Sequence, residues 1–376
     1  MIRRFLLIIL GCGLFAGGAV RGQEIKATVR GETGKRIDDY LTSLVDKGFS
    51  GAVLAAKKDR IFLAKGYGFV DREKRVPVTP ATVFPVGSVT KQFTAAAVVK
   101  LEMQGKLKFS DSIAKYLNDV PADKAKITIH QLLTHSSGIP GSVGRCTQEM
   151  KRNEFVKMAL NSTLDFEPGT RYNYSNAGYN LLAVIVETAS GEEFEEYAGK
   201  NLFAPAGLKQ TGIFVPKYAL DNIAVGYRDG KKWGNVYEKL FDYDYPDRKF
   251  YGYEFCGRGS GGMLSTIGDL YRWHKSFAGE KVFSKASKEK IFASYVREGE
   301  GATSFYGYGW AIFTTPRKTK LIAHNGNVND VFEADFRRYT EEDVVLIIIT
   351  NSLYLEQGAI KISPQIAKII FDNPGK

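Results

Sequence analysis

Patterns typical of metal-dependent and nucleotide-binding enzymes are missing from this chain of 376 residues. It contains four histidines and three cysteines, and neither His-Glu-x-x-His nor a His-x-His-x-Asp cluster occurs. A phosphate-binding glycine loop of the Walker type is absent, and so is the Gly-x-Ser-x-Gly pattern of α/β-hydrolases. We therefore predict no catalytic metal and no cofactor.

Polar linkers, low-complexity tracts and internal repeats are absent as well. The chain is 44% hydrophobic and 25% charged, which is ordinary for a globular protein with a substantial core. We expect one compact unit with two interleaved lobes rather than a string of separate domains.

The N-terminus has the pattern of a secretory signal peptide. A basic start at residues 1–4 precedes a short apolar run, 5–10, and small residues follow. This run is too short to span a bilayer. We predict that residues 1–22 are removed, leaving a periplasmic or secreted chain without a transmembrane span. A lipoprotein anchor at Cys12 is the alternative, although a leucine directly before the glycine is unusual in such signals.

Removal of this segment would leave two cysteines, Cys146 and Cys256. An even number in an oxidising compartment suggests a disulfide, and two separately buried thiols are the open alternative. The formal net charge is +11, yet no basic run with interleaved aromatics indicates nucleic-acid binding. A basic exported surface, or attraction to anionic cell-wall polymers or carboxylated substrates, would explain the charge.

The order of predicted elements indicates an α+β fold. Helical periodicity over 37–45 precedes two strands, 51–57 and 61–67, which form a hairpin. The chain is then helical and loop-rich. In the last third, strands are predicted at 309–313, 320–324, 331–337 and 344–350, and an apolar helix at 360–371.

Strands at both ends around a helical middle predict one antiparallel sheet flanked by helices, with the middle as a second, mainly helical lobe. The expected mature domain covers 23–376. Its sheet lobe would take about 36–105 and 261–376, and its helical lobe about 106–260, with a cleft between them.

Ser88-Val89-Thr90-Lys91 stands where a strand-like run, 82–87, meets a helix-like run, 92–101. A serine in the first helical turn lies beside unpaired backbone N–H groups at the positive end of the macrodipole. Lys91 faces the same side of the helix. A hydroxyl, an amine that can take its proton and donors for an oxyanion would meet there, as acyl transfer requires.

Tyr174-Ser175-Asn176 would place a phenol and an amide on one side of an extended segment. A phenol has a reference pKa of about 10, so Tyr174 can act as a base only if nearby cations stabilise its anion. Lys91 would be one such cation, and a protonated His324 another. Taken alone, the segment is typical of a half-buried loop tyrosine.

His324-Asn325-Gly326 is predicted to end an apolar strand. A glycine beside a reacting centre lets the strand backbone approach a substrate closely. A histidine there can hold a carboxylate or an oxyanion through hydrogen bonds, although a strand-end histidine in a turn has the same pattern.

Similar spacings occur elsewhere without this context. Ser112 and Ser287 also begin Ser-x-x-Lys patterns, and both lie in polar or charged stretches. We predict that they are solvated helix starts, with serine as the cap or a first-turn residue. Tyr116 and Asn118 repeat the Tyr-x-Asn spacing.

In this order the three elements are similar to those of the active-site-serine β-lactamases and penicillin-binding DD-peptidases. They resemble most the class C-like branch, which includes esterases and D-amino-acid peptidases. The stretches 132–140 and 261–266 look like this family too, and the resemblance runs from about residue 36 to the C-terminus. It implies a β-lactamase/transpeptidase-like fold.

The resemblance also implies roles for the candidate residues. Ser88 would be the acylated nucleophile, and Lys91 and Tyr174 would share its proton and later activate the deacylating water. Asn176 would bind the substrate's amide side chain or hold Lys91 in place. Backbone N–H groups of Ser88 and Asn327 would form the oxyanion hole.

The third element departs from class C β-lactamases, which carry Lys-Thr-Gly there. His324 and Gly326 would line the substrate site instead, as in DD-peptidases and esterases of the branch. The resemblance therefore supports acyl-enzyme chemistry but not efficient antibiotic hydrolysis. His130 and His135 are expected to be structural.

The sequence thus predicts a serine hydrolase that cleaves amide or ester bonds through a Ser88 acyl-enzyme. The expected substrate is a peptidoglycan-like peptide, a β-lactam or an ester, and nucleic acid is not an expected partner. A carboxylesterase of the same fold is one alternative. A non-catalytic penicillin-recognising sensor is another, against which the presence of Ser88, Lys91 and Tyr174 argues.

Overall fold

The computed structural model describes residues 25–144, 150–213, 218–235, 257–353 and 358–372. The predicted signal peptide and the pair Cys146 and Cys256 lie outside these ranges. No helix within them is long and apolar enough to cross a membrane.

The strands come mainly from the two ends of the chain. They are β1 (Thr28–Val29), β2 (Gly51–Lys57), β3 (Arg60–Tyr67), β4 (Phe69–Asp71), β5 (Val76–Pro77), β6 (Phe84–Pro85), β7 (Val225–Arg228), β8 (Lys231–Asn235), β9 (Leu264–Ser265), β10 (Val296–Arg297), β11 (Phe305–Tyr306), β12 (Ala311–Thr314), β13 (Lys320–Val328), β14 (Phe332–Tyr339), β15 (Val344–Thr350) and β16 (Ser352–Leu353).

Nine of these strands form one antiparallel sheet in the order β1-β3-β2-β15-β14-β13-β12-β11-β10. The centre of the sheet joins the two ends of the chain, because β15 pairs with β2 on one side and β14 on the other. Every residue of β15 is buried, so helices must cover both faces of the sheet. The predicted α+β fold is confirmed.

The helices are α1 (Gly31–Val45), α2 (Thr90–Met103), α3 (Ile129–Leu133), α4 (Arg152–Leu160), α5 (Asn176–Ser190), α6 (Phe194–Ala198), α7 (Ala204–Ala206), α8 (Ile267–Ser276), α9 (Lys285–Ile291) and α10 (Ala359–Phe371). Two of them, α1 and α10, pack their apolar sides on one face of the sheet, where Ile37 and Ile366 belong to one buried cluster. On the other face α2 is buried almost all round, including the polar residues Thr90, Lys91, Gln92 and Thr94 of its first turns.

Several predicted elements are confirmed with longer bounds. The hairpin is β2 and β3, and the helix predicted at 37–45 is α1. Two predictions were wrong in detail. Only Phe84–Pro85 of the run before Ser88 forms a strand, and β13 does not end at His324 but continues to Val328. Within the middle of the chain, β7 and β8 form a small sheet with β16 that the helical pattern did not predict.

Candidate active site

Ser88 lies in a 3₁₀ turn, Gly87–Val89, that leads directly into α2. The strand β6 brings the chain to this turn by pairing with β9. Ser88 is half-buried, whereas its neighbours Gly87 and Val89 are buried. The local pattern of a strand followed by a helix start therefore exists, although its strand is only two residues long.

Two glycines let this turn approach β13. A Cβ on Gly326 would lie 2.0 Å from Val86 O and 2.8 Å from Ser88 N, and a Cβ on Gly87 would lie 2.8 Å from Asn327 N. Gly87 also has a φ of +52°, which favours glycine. Gly326 was expected to let a substrate come close to the strand. Instead, the backbone of residues 86–88 lies against it. The N–H groups of Ser88 and Asn327 are thereby brought to adjacent backbone segments, as an oxyanion hole requires.

Lys91 is fully buried beside Ser88. Its Nζ lies 3.1 Å from Ser88 Oγ, 2.7 Å from Asn176 Oδ1 and 2.7 Å from Ser260 O. Burial lowers the pKa of the Lys91 ammonium well below its usual value of 10.5. A neutral amine has two hydrogens and one lone pair. Because the two carbonyl oxygens can only accept, they take the hydrogens, and the lone pair is left for the Ser88 hydroxyl.

The Tyr174 ring covers this amine. Lys91 Nζ lies 4.6 Å from the ring centroid, and Asn176, the first residue of α5, accepts a hydrogen bond from the same amine. The Tyr-x-Asn spacing therefore directs both side chains to Lys91. It does so because the Ser175 hydroxyl accepts from Gly178 N and caps α5 between them.

The protonation states differ from those expected for a phenolate base. Burial raises the pKa of Tyr174, and a hydrogen bond with the Ser88 side chain offsets only part of this effect. Burial and the nearby Lys91 lower the pKa of His324 to about 3. These shifts disfavour a Tyr174 anion, because burial disfavours the positive charge on Lys91 and on His324 that would stabilise it.

His324 is held entirely by protein groups. Its Nδ1 lies 2.6 Å from Asn325 O and its Nε2 lies 2.9 Å from the Tyr306 hydroxyl. A carbonyl oxygen only accepts, so Nδ1 carries the hydrogen and Nε2 accepts from Tyr306. Both ring nitrogens are occupied. The structure therefore does not support the expected contact of His324 with a substrate carboxylate, and His324 supports the site from the strand.

His135 supports Tyr174 from behind, as its expected structural role requires. Its Nδ1 accepts a hydrogen bond from Ser175 N at 2.9 Å. Its ring packs against Tyr174, Tyr179 and Tyr306 with centroids 4.3, 4.8 and 4.6 Å apart. Burial is the largest cause that lowers the pKa of His135 well below 6.5, so this aromatic support is neutral.

The two other Ser-x-x-Lys patterns lie outside this site. Ser112 caps a 3₁₀ turn and Ser287 lies in the first turn of α9, as predicted, although Ser287 is buried rather than solvated. Tyr116 donates its hydroxyl proton to Asp111 at 2.6 Å. At these positions the residues make local contacts within a helix or a turn and are not part of the site.

Three residues of the site were not predicted from the sequence. Ser260 provides a backbone carbonyl to Lys91, Tyr306 donates to His324, and Glu298 accepts from the Tyr172 hydroxyl at 3.4 Å. The glycine-rich stretch around Ser260 was a usable signal, because it allows the backbone to come close. Tyr306 and Glu298 carried no comparable spacing signal.

The comparison with known sequences agrees with this geometry. The family model described as Beta-lactamase matches residues 37–370. Penicillin-binding protein 4* of Bacillus subtilis (strain 168) is 30% identical over 342 residues, which cover 87% of this chain and 73% of that protein. The region that matches the family model thus includes Ser88, Tyr174 and His324.

Solved structures share the fold. The octameric penicillin-binding protein homologue from Pyrococcus abyssi has a TM-score of 0.76 at 27% identity, covering 91% of this chain and 78% of that one. EstCE1, a hydrolase with promiscuous acyltransferase activity, has a TM-score of 0.75 at 20% identity, covering 90% of this chain and 98% of that one. At this identity the similarity indicates a shared fold only. The chain therefore belongs to the Beta-lactamase family, within the superfamily of serine β-lactamases and penicillin-binding proteins, whose members are generally serine hydrolases.

Proposed function

We propose that this protein is a serine hydrolase that cleaves an ester or amide bond through a covalent acyl-enzyme on Ser88. The observation that carries the proposal is the 3.1 Å contact between Ser88 Oγ and Nζ of the buried Lys91. Because Asn176 and Ser260 take the hydrogens of the amine, its lone pair can accept the serine proton.

In the first step Ser88 Oγ attacks the acyl carbonyl carbon while its proton passes to Lys91 Nζ. The carbonyl oxygen becomes an oxyanion, which the N–H groups of Ser88 and Asn327 would stabilise. The intermediate then expels the leaving group, which takes a proton from the neutral Tyr174 hydroxyl as Tyr174 takes one from Lys91. Water then attacks the resulting ester and passes a proton to Lys91, which returns it to Ser88 Oγ as the acid leaves.

The substrate class we propose is a D-amino-acid-containing peptide or a β-lactam. The similarity to Penicillin-binding protein 4* supports it. A carboxylesterase is the second candidate, and one observation favours it: His324 has both nitrogens on protein partners and a pKa of about 3, so it offers no positive charge to a substrate carboxylate.

The test is the mass of the intact protein after incubation with a fluorescent penicillin, a D-Ala-D-Ala peptide and p-nitrophenyl butyrate. An adduct on Ser88 that decays with product release supports the proposal. A stable penicillin adduct without turnover of any substrate would identify a sensor. Ser88→Ala should abolish adducts and turnover, while Ser112→Ala, in another Ser-x-x-Lys pattern, should keep both. Full turnover in Ser88→Ala would refute the mechanism.

We also propose that the protein is exported to the periplasm or secreted after removal of residues 1–22. Support comes from the basic start and short apolar run of the sequence. N-terminal sequencing of protein from the cell envelope or medium should begin at Gln23. A retained Met1, or a lipid on Cys12, would contradict it.

A further inference from the structure

A cavity of about 1020 Å³ opens beside Tyr174 and extends along the sheet to α10. Tyr174, Tyr306, His324 and Glu298 line its end near Ser88, and Phe371 lines the far end. A volume of this size accommodates a substrate much larger than the bond that is cleaved. Its charged residues should therefore influence which acyl donors bind.

The charged side chains of the far end are paired. Arg337 pairs with Asp335 at 2.6 Å, Arg317 pairs with Glu342 at 2.8 Å, and Lys368 pairs with Asp372. Among the charged residues that line this cavity in the described part of the chain, Glu298 alone has no ion pair. In a protein with a net charge of +11, an unneutralised carboxylate beside the site needs an explanation.

Glu298 follows β10 directly, in the edge hairpin that also carries Tyr306 on β11. It is half-buried and accepts from the Tyr172 hydroxyl at 3.4 Å. Burial raises the pKa of Glu298. A partly desolvated carboxylate is costly unless a cation pairs with it. The Tyr172 phenol and the Ser304 hydroxyl both hydrogen-bond to Glu298, but neither carries a positive charge, so they compensate this cost only in part.

The nearby basic groups do not supply that cation. Lys91 Nζ contacts Ser88, Asn176 and Ser260, and both ring nitrogens of His324 lie on protein partners. Burial also lowers the pKa of both groups. Aromatic rings line the same end of the cavity as Glu298: Tyr306 lies 5.8 Å from Tyr172, which contacts Glu298, and 6.3 Å from Tyr174, centroid to centroid. A carboxylate beside aromatic rings is the arrangement that binds ammonium groups, through charge and cation–π attraction.

We propose that Glu298, together with the Tyr174 and Tyr306 rings, binds an ammonium group carried by the acyl donor. The favoured substrate is thus an ester or amide whose acyl part bears an amine, rather than one that bears only a carboxylate. This inference rests on the proposed hydrolase function and names the substrate class for the same site.

The experiment compares two p-nitrophenyl esters of equal shape, the 6-(trimethylammonio)hexanoate and the 7,7-dimethyloctanoate, which differ in charge. The wild type should show the higher kcat/KM for the cationic ester. Glu298→Gln keeps an acceptor for Tyr172 and removes the charge, so the ratio of cationic to neutral kcat/KM should fall about tenfold. Glu300→Gln, at an exposed position of the same hairpin, should leave the ratio unchanged.

An equal ratio in the wild type and Glu298→Gln would overturn the inference, as would a wild-type preference for the neutral ester. Failure of the hydrolase proposal gives a different result, because neither ester would then be turned over. In that event the ammonium site is tested by calorimetry, which measures the binding of butyltrimethylammonium to the wild type and to Glu298→Gln. Weaker binding to the variant supports an ammonium site, and equal binding refutes it.

Discussion

Lys91 shows how burial changes the chemistry of a single residue. In water an ammonium would hold its proton, and the Ser88 hydroxyl would have no base beside it. Burial lowers the pKa of Lys91, and two carbonyl oxygens fix the orientation of the amine. The neutral amine is the form that can accept the serine proton, so the rate of acylation should follow the deprotonated fraction of Lys91.

We expect kcat/KM for p-nitrophenyl butyrate to increase with pH through a pKa well below 10.5, and to fall as the pH decreases and Lys91 becomes protonated. Lys91→Arg should lower kcat/KM by about 10²–10⁴-fold and remove this dependence, since a guanidinium stays charged. Lys115→Arg, in a second Ser-x-x-Lys pattern, is the control and should keep the wild-type profile. A wild-type kcat/KM that rises only near pH 10.5, as for an ordinary lysine, would contradict this assignment.

At the level of residues, the sequence predicted the identity of the proposed nucleophile and base but not their electrostatics. Ser88 and Lys91 could be paired because three residues is close to one helical turn. The charge of His324 could not be predicted, because it depends on burial and on Lys91 from a distant helix. The protonated His324 that would help to stabilise a Tyr174 anion is therefore disfavoured in the folded protein.

Among the elements, the contact between the turn Gly87–Val89 and the strand β13 decides the geometry of the site. Gly326 has no room for a side chain, because Val86 O lies where its Cβ would be. The close approach brings the N–H group of Ser88 to the backbone of β13 beside Asn327. The positions of the two proposed oxyanion donors thus depend on Gly326, together with Gly87.

Gly326→Ala should therefore reduce kcat/KM by about 10²–10³-fold, because the turn must move away from β13 and one oxyanion donor is misplaced. Gly279→Ala is a matched control, since a Cβ there meets no atom within 4 Å. Ester hydrolysis and near-ultraviolet circular dichroism of both variants are the measurements. A folded Gly326→Ala protein with wild-type kcat/KM would show that the close contact is unimportant.

Strong local periodicity made the long elements predictable, as β2, β3 and α1 illustrate. The bounds of β13 were harder to predict, because pairing with β14 extends it through Asn327 opposite Glu333. Polar residues such as Asn325 and Asn327 rarely continue a strand on propensity alone. In β13 the partner strand overrides that propensity.

For the whole molecule, histidines whose pKa is lowered by folding make stability depend on pH. His274 accepts a hydrogen bond from Arg338 Nε at 3.2 Å, and burial and Arg338 lower its pKa from 6.5 to about 3. Below pH 6.5 the unfolded chain binds a proton that the folded chain does not bind until about pH 3. The free energy of unfolding should therefore decrease as the pH falls through this window.

His274→Gln keeps an acceptor for Arg338 but cannot titrate. We expect its free energy of unfolding to decrease less than that of the wild type when the pH is lowered from 6.5 towards 3. Urea unfolding at several pH values measures both proteins. If the free energies of unfolding of the two proteins changed equally with pH, His274 would not contribute to the pH dependence of stability.

The sequence by itself determined the α+β class, the family and the residues expected to carry the chemistry, because periodicity and motif spacing are local properties of the chain. Tertiary structure alone decided the pKa shifts of Lys91 and His324, the hydrogen-bond partners of His324 and the position of Glu298 in the cavity beside Tyr174. These depend on burial and on contacts between distant segments, such as Lys91 with Asn176 and Ser260. Desolvation is a property of the packed molecule, and no spacing in the chain encodes it directly.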